Sequence, residues 1–131
     1  VVSLLINQFA YYLKIRDPLI CKNLFGSDPR VQLSRVKANL IPQQEFNQEI
    51  KFNPPHRDPK PKDERMLIAL YYINESDGDT FFFDNDLNIT QQITPKKGSI
   101  VIFDGDIIHA SSPPQNSRSR MVLNINIKLG N

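Results

Sequence analysis

A chain of 131 residues with 40% hydrophobic content can bury one core and is too short for two domains. Ten prolines and five glycines favour a β-rich, loop-rich fold over a helical bundle or a disordered chain, and a net charge of +2 on scattered lysines and arginines leans toward an acidic partner and does not by itself indicate nucleic acid. The single cysteine, Cys21, excludes an internal disulfide and a thiolate zinc cluster, so a reducing, cytoplasmic compartment is expected.

The apolar opening, Val1 to Ile6, is far shorter than a membrane span and has neither a basic leader nor a cleavage site, so no membrane association is expected. A start at Val1 rather than Met leaves further residues upstream to be expected. Leu5, Phe9 and Tyr12 recur at near-helical spacing before Asp17-Pro18 breaks the pattern. This predicts one or two short helices within residues 1–30, supporting a single domain whose core runs over 31–131. Gly26-Ser27-Asp28-Pro29 is turn chemistry. Val36, Ala38 and Leu40 then alternate with Arg35, Lys37 and Asn39, the period of a strand with one polar side. That polar side is expected to be a wet sheet face in preference to a substrate cleft. Phe46, Ile50 and Phe52 continue the pattern less cleanly.

Asn53-Pro54-Pro55 ends the segment and delivers His56, and a proline-broken polar loop follows to Glu64. Residues 66 to 73 are nearly all apolar, which predicts a central strand buried on both faces. Ser76-Asp77-Gly78-Asp79 reads as a hairpin turn with Gly78 at positive φ, returning through a strand at Thr80 to Phe83. Thr90 to Thr94 and Ser99 to Phe103 are further strands about the turn Pro95-Lys96-Lys97-Gly98. In the last, Arg120 to Leu129, Met121, Leu123, Ile125 and Ile127 alternate with Arg120, Val122, Asn124 and Asn126. Short strands separated by turns predict a sandwich or jelly roll.

Both histidines of the chain belong to one pattern. His56 and Asp58 stand two apart, so an extended backbone sends both to one side, and His109 follows a strand-like run and the turn Asp104-Gly105-Asp106. Two imidazoles and one carboxylate can occupy one face of an octahedral iron(II) and leave three positions open. The plainer alternative is a solvated loop histidine and aspartate. His56-Arg57-Asp58 also opens a protein-kinase catalytic loop, but the asparagine that motif requires is Asp63 here and no glycine-rich phosphate loop precedes it.

The set of Arg35-Val-Lys-Ala-Asn-Leu40, His56-Arg-Asp58, Leu70-Tyr-Tyr-Ile-Asn74, Asp77-Gly-Asp-Thr80 with Phe81 to Phe83, Pro95, Gly98, Phe103, His109 and Arg120 resembles the iron(II)/2-oxoglutarate-dependent dioxygenases. Within them it is most similar to the prolyl 4-hydroxylase-like branch and its short phage and bacterial forms. The resemblance implies a mainly β double-stranded β-helix, or jelly roll, with iron(II) on His56, Asp58 and His109. It implies 2-oxoglutarate as co-substrate, its far carboxylate held by Arg120, with Arg118 the second candidate, and hydrogen-bonded by Tyr72. Dioxygen, and in this family ascorbate, complete the cofactor set.

Asn124 and Asn126 share the Arg120 side of the last strand, which leaves them lining the co-substrate cavity or facing outward. Phe81 to Phe83 and Phe103 are read as core. The activity implied is hydroxylation of an unactivated C–H bond on a peptide, protein or amino acid, with succinate and carbon dioxide released. The support region in these residues is short and nothing in them reproduces a separate peptide-substrate domain, so proline itself is left open as the target. A nucleic-acid-directed oxygenase and a non-catalytic cupin-like module are the rival readings. The first lacks a clear basic, aromatic-lined groove, and the second has no need of all four of His56, Asp58, His109 and Arg120.

Overall fold

The computed structural model of the protein describes residues 31–45 and 51–129, with Leu19 and Lys22 as two isolated helical positions. The remainder of the expected amino-terminal helical region, and Phe46 and Ile50, lie outside the described residues. The strands are β1 (Val31–Pro42), β2 (Met66–Tyr72), β3 (Thr80–Phe83), β4 (Ile89–Ile93), β5 (Ile100–Asp104), β6 (Ile108–Ser111) and β7 (Ser119–Leu129). They form one sheet in the order β1-β7-β2-β5 and a second in the order β4-β3-β6. All pairings are antiparallel, and the two-sheet arrangement is the expected mainly β jelly roll. No helix among the described residues is long and apolar enough to cross a membrane.

The apolar run at 66–72 becomes β2 because it is flanked on both sides, by β7 and β5, and so has no wet edge. Its side chains at 66, 68, 70 and 72 pack with Val122, Phe103 and Phe82 between the two sheets. Phe82 meets Phe103 edge-on with centroids 4.9 Å apart, and Phe103 meets the His109 ring at the same separation. The core therefore reaches the candidate site directly, through Phe103. Phe83 is buried with Ile108 and Ala110 in a second cluster, and Phe81 is partly buried against it beside Phe52.

Two local expectations fail. Residues 76–79 do not close a hairpin: β2 pairs with β5 and β7, whereas β3 pairs with β4 and β6, so the connection crosses from one sheet to the other. Gly78 is not at positive φ; among the described glycines only Gly98 is, at +80° in the turn before β5. Gly78 is needed for a close approach, since a Cβ there would stand 2.6 Å from the Ser112 carbonyl oxygen and 3.0 Å from the Arg120 Cδ. A strand not anticipated, β6, carries His109.

Candidate metal centre

His56 lies outside the named strands but pairs with His109 as an isolated antiparallel bridge. Each backbone N–H donates to the other residue's carbonyl, at 3.0 and 2.9 Å. The segment is tied to β6 again where the Asn53 N–H donates to the Ser111 carbonyl at 2.8 Å. Ladder geometry thus places the two imidazoles side by side, 4.7 Å between centroids. Asp58 follows two residues after His56 and turns to the same point. Its Oδ1 is 3.6 Å from Nε2 of both histidines, and one ligand atom from each residue falls within 4.8 Å of the others.

The hydrogen bonds around the cluster set its chemistry. Nδ1 of His56 donates to the Pro54 carbonyl at 3.1 Å and Nδ1 of His109 to the Ile107 carbonyl at 3.0 Å. With those protons fixed, both Nε2 lone pairs are free for a metal. The second oxygen of Asp58 accepts from Asn126 at 3.2 Å and Asn124 at 3.4 Å. Without a metal, a His109 N–H turned toward Asp58 holds its carboxyl at about 2, against burial and with help from the two asparagines; a bound cation would take the place of that proton. At neutral pH the cluster offers one carboxylate and two imidazoles. At metal–ligand bonds of about 2.1 Å adjacent octahedral donors stand roughly 3 Å apart, so the separations here close around an ion with small side-chain movements. Hard oxygen and imidazole nitrogen without sulfur fit iron(II). The outer segment is clamped by Arg57, which donates to the Asp106 carbonyl at 2.8 Å and to Asn85 Oδ1 at 3.0 Å.

Beside the histidines a narrow cavity runs inward, lined by Asn39, Leu70, Thr80, Ala110, Ser111, Arg120, Val122 and Asn124 as well as His56 and His109. Arg120 sits in its wall, 3% exposed. Its Nε donates to the Gly78 carbonyl and its Nη2 to Thr80 Oγ1, both at 2.8 Å. It forms no ion pair among the described residues. Burial lowers its pKa, opposed by Tyr72 and Asp79, yet a guanidinium stays charged. A buried cation without a partner costs several kcal/mol, a cost that an anionic ligand would offset. The cavity also holds a lone acceptor: Asn124 Oδ1 is buried without a hydrogen-bond partner.

The expected residues separate in the structure. His56, Asp58, His109, Arg120 and Asn124 come together. Tyr72 is fully buried behind Thr80, its hydroxyl 2.8 Å from Thr80 Oγ1 and its ring 5.8 Å from the Arg120 guanidinium carbon, and it does not line the cavity. Arg118 is exposed on the loop before β7, away from the cavity lining. Asn39, expected on a wet face, lines the cavity, because β1 register sets it opposite Val122. Thr80 received no role from the sequence, although sharing parity with Phe82 it must point inward with that core residue.

Two residues of the recognised pattern hold the loop that launches β7. Asn74 donates to the Ser119 carbonyl and accepts from the Met121 N–H, both at 2.9 Å. The Asp77 carboxylate accepts from the N–H groups of Gln115, Asn116 and Ser117 at 3.1, 2.8 and 2.9 Å. Burial opposes ionisation of Asp77, but these hydrogen bonds hold its carboxyl well below the usual carboxylate range.

A profile of the family described as the 2OG-Fe(II) oxygenase superfamily matches residues 44–128. Comparison with curated protein sequences finds no match. Among solved structures, a Pseudomonas putida prolyl-4-hydroxylase aligns at 23% identity and TM-score 0.54, covering 92% of this chain and 65% of its own. A truncated form of the viral collagen prolyl hydroxylase from Paramecium Bursaria Chlorella virus-1 aligns at 19% identity and TM-score 0.59, covering 92% and 67%. The 2OG complex of that viral enzyme aligns at 18% identity and TM-score 0.57, covering 92% and 72%. These likenesses establish a shared fold, and the chain spans about two thirds of the length of the structures it resembles.

Proposed function

The chain belongs to the 2OG-Fe(II) oxygenase superfamily, and we propose that it is a prolyl 4-hydroxylase-like member acting on a peptide or amino acid. The observation that carries this reading is the buried, unpaired guanidinium of Arg120 in the same cavity as the open side of the His56, Asp58 and His109 cluster. Two solved structures with this fold, a bacterial prolyl-4-hydroxylase and a viral collagen prolyl hydroxylase, support the substrate class.

His56 and His109 would hold iron(II) through Nε2 and Asp58 through Oδ1, the atoms that already converge. When bound, iron(II) with dioxygen and 2-oxoglutarate supplies insertion of one oxygen atom into an unactivated C–H bond, 2-oxoglutarate leaving as succinate and carbon dioxide. The protein contributes placement. Arg120 receives the far carboxylate of 2-oxoglutarate as a charge-assisted partner, with the Thr80 hydroxyl beside it. Tyr72 acts through Thr80 and through its ring, holding the guanidinium toward the cavity. The apolar walls at Leu70, Val122 and Ala110 exclude water from the reacting centre.

Anaerobic addition of iron(II) and 2-oxoglutarate should give a visible charge-transfer band that His109→Ala abolishes. Air admitted with proline-containing peptides should then yield succinate in step with hydroxylated product. Protein that binds neither component would replace this reading with a non-catalytic ligand-binding module.

A further inference from the structure

The register of β1 against β7 sets Arg35 opposite Asn126, Lys37 opposite Asn124 and Asn39 opposite Val122. Directly opposed residues share a sheet face. Arg35 and Lys37 therefore project on the face that carries both asparagines holding Asp58, and Asn39 on the same strand lines the cavity. Both cations are exposed, and neither forms an ion pair among the described residues. The other side of the strand is the apolar one, Val36 and Leu40, 41% and 66% exposed. A concave jelly-roll face is ordinarily apolar, as β2 shows with its buried 66, 68, 70 and 72 positions.

From this juxtaposition we propose that Arg35 and Lys37 form a substrate-recognition strip for an acidic peptide. The inference rests on the oxygenase reading above and adds the substrate's charge to it. With iron(II) and 2-oxoglutarate bound, the inner pocket balances its own charge: the dication and Arg120 stand against Asp58 and the two co-substrate carboxylates. Arg35 and Lys37 are left as excess positive charge at the site's edge, where they favour an anionic partner. Lys37 and Arg35 stand level with the two asparagines that bind Asp58, and as same-side neighbours on a strand they are about 7 Å apart along β1. An extended peptide has the same repeat, so carboxylates on alternate residues near the one being hydroxylated can meet both cations. Single-stranded nucleic acid is disfavoured because this strip carries no aromatic platform on which bases could stack.

The test is binding of fluorescein-labelled proline peptides to the full chain loaded with manganese(II) and 2-oxoglutarate, read by anisotropy. One peptide carries Asp two and four residues to either side of the proline, and the other carries Ser there. The acidic peptide should bind about five- to tenfold more tightly at low salt, the scale of two exposed ion pairs, and the advantage should fade as salt rises. Arg35→Ala with Lys37→Ala should erase the difference, and Arg35→Lys should keep it. Equal affinity for the two peptides, a preference that survives the double substitution, or tighter capture of a single-stranded oligonucleotide would each overturn the proposal. The iron(II)/2-oxoglutarate band separates the two failures: without it the oxygenase reading falls, whereas a normal band with indifference to peptide charge sinks the recognition strip alone.

Discussion

Asn126 donates through Nδ2 to the Oδ2 of Asp58 at 3.2 Å from a side chain buried to 4% exposure, and so settles which carboxylate oxygen faces the imidazoles. Asn124 bonds the same oxygen, which leaves Oδ1 as the one 3.6 Å from both Nε2 atoms. Outer hydrogen bonds of this kind orient a ligand before the metal arrives. Asn126→Leu keeps the volume and removes the donor, so manganese(II) affinity by calorimetry should fall about 10–100-fold while the far-UV circular dichroism is unchanged. Undiminished affinity would show that Asn124 alone orients Asp58.

Arg120→Met separates ligand binding from stability. Loss of a charged partner to the co-substrate carboxylate should weaken 2-oxoglutarate binding by about 2–5 kcal/mol. The ligand-free protein should change little in thermal midpoint, because the change also removes an unpaired buried cation, and that gain offsets the lost hydrogen bonds to Gly78 and Thr80. Differential scanning fluorimetry with and without 2-oxoglutarate reads both effects. A large loss of stability without ligand would make Arg120 chiefly structural.

The parts of this site visible in the sequence are those written in one local period. His56 and Asp58 share a side because alternation is a local rule, and the same rule put Arg120, Asn124 and Asn126 together along β7. The run at 66–72 announced a doubly covered strand by its unbroken apolar character. What failed depends on partners distant in the chain. Turn chemistry at Ser76–Asp79 cannot say which sheet the chain enters next, and β6 is too short, with no alternation, to be seen as a strand. Asn39 reaches the cavity through cross-strand pairing with β7, which no window around it contains.

Asp77 gives the fold an acid-sensitive fastening. Its carboxyl is held below its unfolded value of about 3.9 by N–H groups of the 115–117 loop, so its contribution to stability is fully present above that pH. The contribution is lost as pH falls through the lower folded-state value. Asp77→Asn should be less stable than the parent at pH 7 and should lose less stability on acidification toward pH 2. Urea unfolding at a series of pH values checks this, and parallel curves for the two proteins would assign acid sensitivity elsewhere.

Gly78 couples the same loop to Arg120. Its carbonyl receives the Arg120 Nε, and its α-carbon lies so close to the Ser112 carbonyl that an added methyl would meet that oxygen at 2.6 Å. Backbone cannot swing aside as a long side chain would, so Gly78→Ala must separate residues 78 and 112 or move the arginine. Overpacking of this kind costs about 1–3 kcal/mol. The displaced guanidinium should also raise the KM for 2-oxoglutarate, while metal affinity holds, because His56, Asp58 and His109 are fixed by a separate set of hydrogen bonds. Parallel measurement of 2-oxoglutarate dependence and manganese(II) binding distinguishes this from general unfolding, in which both would fall together.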